Sequence, residues 1–523
     1  MKSTAKQLFW NALLLTLSSL LMRTVGVWFQ VYLSNRVGAE AMGLYSLMLG
    51  VYGFALTLAT SGIHLGVTRL IADALGREQP QRIPAIMRSA TLYALFFGLL
   101  SSLLLGGFAT PIGNLWLKDA RTVPSLRLLA VTLPLIALAS AWGGYFTAVR
   151  RVYKNAAVQI WEQLLKIGGT MYLLSLFGTG AIETLCCLLV AGGAIAEIGS
   201  FLVNGGLYLR DRRRHFSAGS PNGWRKSSVA LARISLPIAL TTYLRSGLLT
   251  LQHILIPEGL RNSGTSHGQA LAAYGSIHSM ALPVILYPSA LIGSFSGLLV
   301  PALAECAVQK RPRRIRYMIG RVWSLALLFA IGTAGILICF SQEIGTALYP
   351  GTRAGYYIRL LAPLIPIMYI DTATDAMMKG LGEQVYSMNI NLADAAISVL
   401  LVWLLIPRYG ITGYIVTIYF SEIFNTVFSI AHLLSVGGPQ VRLLKWIYKP
   451  LLSIVIATLL CRALFSLLPL PLAPGLSFLI HALTTGGFYL LGLLLLGSLE
   501  REDLHWIGGL FQREPTEAHP QEK

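Results

Sequence analysis

Residues 94–112, 325–341 and 474–498 contain no Asp, Glu, Lys or Arg. Each run is long enough to cross a hydrocarbon core of about 30 Å. Inside lipid every backbone N–H and C=O must be satisfied within the protein, which leaves helices or a closed barrel. A barrel would show short alternating segments, and this chain has long continuous ones. The charged fraction is 12%, about half that of a soluble domain. The sequence therefore predicts an all-α polytopic membrane protein with about fourteen transmembrane helices.

One segment occurs twice. Residues 108–134 align without a gap to residues 340–366, and nine of the 27 positions are identical: Phe108/Phe340, Ile112/Ile344, Gly113/Gly345, Arg121/Arg353, Arg127/Arg359, Leu128/Leu360, Leu129/Leu361, Ala130/Ala362 and Pro134/Pro366. An offset of 232 residues corresponds to six spans of roughly 20 residues plus loops. An even number inserts both copies in the same orientation, the parallel-repeat plan of many transporters. The expected organisation is a six-helix lobe over 8–209, a basic cytoplasmic linker over 210–227 and a second six-helix lobe over 228–437. Two extra helices over 438–498 and a polar tail over 499–523 complete the chain.

The net charge of +19 suggests nucleic acid until the basic residues are placed. With a cytoplasmic N-terminus, the inner loops and tails hold roughly 29 of the 41 Lys and Arg, as the positive-inside rule requires. The densest runs are 210–226 and 310–321. Their placement points to topology and anionic lipid, with no nucleic-acid partner. Lys118, Arg121 and Arg127 are exceptions near an outer loop, where a structural or snorkelling role is expected. The five cysteines lie in or beside apolar spans without metal-ligand spacing. Lys2 and Lys6 precede an apolar run with no small-residue cleavage site, so the first helix reads as retained. No nucleophile elbow, phosphate loop, zinc spacing or dinucleotide fingerprint is present; neither cofactor nor metal is expected, and the chain does not read as an enzyme.

A few charges lie where they are expensive. Arg23 and Arg245 sit near the middle of their spans, at about 2.5–3.5 kcal/mol each on insertion scales, and such residues normally face a bundle interior or wet cavity. Arg23 and Gln30 are seven residues apart, as are Arg245 and Gln252, so each pair shares a helix face. Because both helices open their lobes, a shared cationic cavity is expected. Glu162 and Lys166 stand four apart in acid-then-base order, which suits either mutual neutralisation or a coupling role. Asp371, Asp375 and Lys379 form a similar ladder. Glu197, Glu422 and Arg462 have no assignable partner.

Four places carry a resemblance: the run VGAEAMGLY at 37–45 with Ser61, Gly62, Ile63 and Arg69; Gly144, Tyr145 and Phe146 with Gln159, Glu162, Gln163 and Lys166; the run VPALAE at 300–305; and Lys379, Gly380, Leu381 and Gly382. In these the chain resembles the polysaccharide-transporter branch of the multidrug/oligosaccharidyl-lipid/polysaccharide exporter superfamily, and within it the stage V sporulation protein B-like proteins, relatives of lipid II flippases. It departs from the pattern at Gly143, at mid-span Arg245 and in the hydrophilic stretch 261–269. The resemblance implies a flippase moving an undecaprenyl-pyrophosphate-linked oligosaccharide or a peptidoglycan lipid precursor outward across the cytoplasmic membrane, with glycan-assembly enzymes as partners. Arg23, Arg245, Gln30, Gln252 and Arg69 are then the residues expected at the lipid-linked, anionic glycan. A cation-coupled multidrug exporter of the same fold, a membrane-embedded transferase and a non-transporting envelope or spore assembly protein are the alternatives.

Overall fold

The computed structural model describes residues 2–178, 180–215, 224–437, 442–467 and 474–499. Residues 216–223 of the linker expected at 210–227 and nearly all of the tail at 499–523 lie outside these residues, while 210–215 and 224–227 continue the flanking helices. The described residues are helical throughout, with no strand. Among the described residues, twelve helices are long and apolar enough to cross a membrane. The helix Val152–Phe177 is not among these twelve, because Lys154, Glu162 and Lys166 dilute it; nor is Ile365–Leu381, which has 17 residues.

The first helix, Lys2–Thr60, is 59 residues long and leaves helical geometry at Gly38, with φ 83° and ψ 169°. Gln30 and Ser46, each eight residues from Gly38, both bond to Ser279. In a straight helix they would stand about 24 Å apart along the axis. The chain therefore reverses at Gly38 and its two arms run side by side. That backbone region is open essentially to glycine alone.

The chain packs as two compact units, residues 1–287 with 388–421 and residues 288–387 with 422–523. In the first, small residues set the helix spacing, as expected where lipid removes the hydrophobic drive between helices. A Cβ on Gly43 would lie 2.0 Å from the Leu271 carbonyl oxygen, and one on Gly275 2.3 Å from that of Ala39. The helix Ile182–His215 is polar on the side it buries. Glu197, Ser200, Asn204, Tyr208 and Asp211 follow one another at spacings of three and four, one face of a helix, while Ile195, Ile198, Leu202 and Leu209 are exposed on the other. In the second unit, Leu328 and Ile331 pack with Ile454, Ala457, Tyr489 and Leu493, joining the helices Lys449–Leu467 and Pro474–Leu495 to Pro312–Cys339. Tyr489 donates its hydroxyl to the Leu328 carbonyl at 2.7 Å.

Candidate functional site

The two mid-span arginines belong to the first unit. Arg23 donates Nη2 to the Leu286 carbonyl at 2.8 Å, and Gln30 donates Nε2 to the Ser279 carbonyl at 3.2 Å. Both partners lie on one interrupted stretch, a π-helical turn Ser276–Ala281 followed by the short helix Leu282–Leu286. Pro283 removes the N–H that an α-helix would return to Ser279, and Gln30 supplies one in its place. The shared face predicted for Arg23 and Gln30 is thus present. Arg23 is exposed and forms no ion pair among the described residues.

Arg245, also exposed, points Nη2 at the Asn391 side-chain oxygen across 3.4 Å. One turn along the same helix, Asp394 accepts from the Ser421 hydroxyl at 2.8 and 3.0 Å. Gln252 is half-buried on the arginine's own helix and Arg69 is exposed; the structure gives neither a hydrogen bond to Arg23 or Arg245. Glu162 accepts from Ser200 on the neighbouring helix at 2.9 Å. No Glu162–Lys166 ion pair closes within 4 Å among the described residues, although Glu162, Lys166 and Glu197 lie within electrostatic reach of one another. Tyr52, bonded to Thr132 at 2.9 Å, belongs to the same polar group. In the second unit Asp375 pairs with Lys379 at 2.7 Å and takes a hydrogen bond from Ser387, which gives that ladder a structural role. Arg462 donates to the Cys339 carbonyl at 3.3 Å.

Two ion clusters tie off opposite ends of the first unit. At one end Arg121 pairs with Asp119 at 2.7 Å and Glu40 at 3.2 Å, His267 Nε2 lies 2.9 Å from Asp119, and Lys118 pairs with Glu258. Burial acts to raise the Asp119 carboxyl, but hydrogen bonds from Arg121 and His267 outweigh it and hold the group below the usual carboxylate range. At the other end Asp211 accepts from Tyr145 and pairs with Arg151 and Lys154. Of the structural or snorkelling role expected for Arg121, the structure shows the structural one; Glu40, Asp119 and His267 are too far apart in sequence to announce a cluster. The signal available was Asp119 two residues before the repeated arginine.

The polysaccharide biosynthesis protein family matches residues 8–307. Stage V sporulation protein B of Bacillus subtilis (strain 168) is 25% identical over 416 residues, spanning 78% of this chain and 80% of that protein. The membrane protein YabM of the same organism is 22% identical over 414 residues, 77% of this chain and 75% of its own length. Among solved structures, the lipid II flippase MurJ in an inward closed conformation superposes with a TM-score of 0.67 at 14% identity, covering 92% of this chain and 98% of its own. An inward-facing multidrug resistance MATE family transporter of the MOP superfamily gives 0.62 at 12% identity, with 81% and 98% covered. The chain therefore shares the fold of these two transporters. With more than half of its length matched, this multi-pass membrane chain belongs to the polysaccharide biosynthesis protein family.

Proposed function

We propose that the protein is a flippase that carries an undecaprenyl-pyrophosphate-linked oligosaccharide or a peptidoglycan lipid precursor outward across the cytoplasmic membrane. Two six-helix lobes, 8–209 and 228–437, rock about a central cleft, and both termini lie in the cytoplasm. The observation that carries this reading is how Arg23 and Arg245 are satisfied. Each guanidinium sits well inside a membrane helix and donates to a neutral oxygen, Leu286 carbonyl or Asn391 amide, rather than to a carboxylate. The positive charge of Arg23 is therefore available to an anion, and that of Arg245 meets a carboxylate, Asp394, only at electrostatic range. The 3.4 Å contact of Arg245 lies at the long edge of hydrogen bonding and is readily exchanged for a phosphate oxygen. Arginine's planar fork suits a pyrophosphate, which accepts two parallel charge-assisted bonds. Gln30 holds the chain break beside Arg23, and Gln252 and Arg69 complete the polar lining.

The test is complementation of a depletion strain with membrane levels held equal. Arg245→Ala should lower lipid-linked precursor export by about tenfold to a hundredfold, the cost of losing a charge-assisted hydrogen bond; Arg245→Lys should recover part of it. Normal complementation by the Arg23→Ala, Arg245→Ala double variant removes the assignment. A second reading is favoured by the Glu162, Glu197 and Tyr52 group, which offers two carboxylates to a coupling cation. A cation-coupled exporter of drugs would show efflux that collapses with an ionophore and depends on Glu162 and Glu197.

A further inference from the structure

We infer that the outward face of the helix Ile182–His215 ends in a binding site for an anionic phospholipid. A cleft of about 380 Å³ is lined by Gly206, Leu209, Arg210, Arg213 and Arg214. The three guanidiniums are exposed and make no hydrogen bond or ion pair among the described residues. The nearby acid, Asp211, is already engaged by Tyr145, Arg151 and Lys154. Arg210, Arg213 and Arg214 thus gather three positive charges at the end of a membrane helix, and the acid beside them is bonded to other groups.

What leads to that cleft is apolar. Ile198, Leu202, Leu209 and Arg213 succeed one another at spacings of four, seven and four, a single helix face, and the three apolar side chains are exposed. Gly206 falls on the same face and leaves a notch between Leu202 and Leu209: a Cβ there would meet nothing within 4 Å. A hydrocarbon stripe running into three guanidiniums matches an acyl chain below a phosphodiester headgroup. A free phosphate would use the arginines and leave the stripe idle. The site is separate from Arg23 and Arg245, so it stands whether or not the protein proves to be a flippase.

The full-length protein in nanodiscs of phosphatidylglycerol or phosphatidylcholine, released and weighed by native mass spectrometry, tests this. Phosphatidylglycerol should remain bound to the wild type while phosphatidylcholine does not. Each arginine changed to Gln should weaken retention by about fivefold, and the Arg210, Arg213, Arg214 triple variant should lose it. Because removing these charges also alters the topology signal, Gly206→Trp is the second variant. It fills the notch, keeps every charge and should cut retention comparably. Equal retention of both lipids, full retention by Gly206→Trp, or equal thermal stabilisation by inorganic phosphate would each overturn the site; the last two would mean charge pairing at a helix end only.

Discussion

The two copies of the repeated segment keep a buried Leu-Ala step and a tight glycine contact but differ in their polar partners and in the burial of their phenylalanines. Leu129 and Leu361 are buried, as are Ala130 and Ala362, and Arg127 and Arg359 are both exposed. Gly113 and Gly345 each sit where a Cβ would collide with the start of the next helix. The polar positions part company. Arg121 stands at a helix N-terminus, where the helix dipole disfavours a cation, and Asp119 and Glu40 compensate it. Its counterpart Arg353 is exposed at the start of the helix Ala354–Leu361, and Gly351 occupies the place of Asp119. Phe108 is 58% exposed, whereas Phe340 is 4% exposed and stacks on His481 with ring centroids 5.7 Å apart. Leu117 corresponds to Tyr349, whose buried hydroxyl has no hydrogen-bond partner among the described residues. Close packing is intolerant of change, while a polar partner can be supplied by whichever helix lies alongside.

The comparison breaks first at the phenylalanines. Phe340→Ala should destabilise by about 3 kcal/mol through the cavity it leaves, and Phe108→Ala by much less; thermal unfolding in one detergent measures both. The glycines come next. A Cβ at Gly345 would lie 2.5 Å from the Gly355 Cα, whereas one at Gly113 would meet the Val123 and Thr122 side chains at 2.6 and 2.9 Å. Backbone yields less than a rotamer, so Gly345→Ala should cost about 2 kcal/mol and Gly113→Ala less. Equal losses would mean that the two turns are equally plastic.

Asp119→Asn should cost about 1 kcal/mol at neutral pH, discounted because solvent reaches Arg121. Its pH dependence is the sharper measurement. A carboxyl held below its unfolded value contributes fully above about pH 3.9 and loses that contribution as pH falls through the lowered value. On acidification below that point the wild type should lose more of its thermal midpoint than Asp119→Asn. The smallest effect has the opposite sign. Tyr349→Phe removes an unpartnered buried hydroxyl and should leave stability unchanged or raise it by about 0.5 kcal/mol, while Leu117→Tyr in the other copy should lower it.

The architecture was legible because lipid imposes a single rule on long segments, and the uncharged runs at 94–112 and 325–341 obey it. The Arg23 and Gln30 face was legible from a spacing of seven. Spacing could not say that Glu162 bonds Ser200 while Lys166 stays within reach, because intrahelical and interhelical partners compete and only packing decides. The Glu40, Asp119, Arg121 and His267 cluster joins residues up to 227 positions apart, a distance over which periodicity carries no information. The inward polar face of Ile182–His215 was readable in principle from the spacing of Glu197, Ser200, Asn204 and Asp211. Its mean apolarity hid it.

The reversal at Gly38 bears on how the protein is made. Two helical arms meet at a single non-helical residue, with no extended loop between them. The two arms thus form one hairpin within 59 residues of chain, a unit able to enter the bilayer as a pair. Neighbouring atoms leave room for a side chain at position 38, but the backbone conformation there does not admit one, so Gly38→Val would strain the reversal itself and separate the two arms.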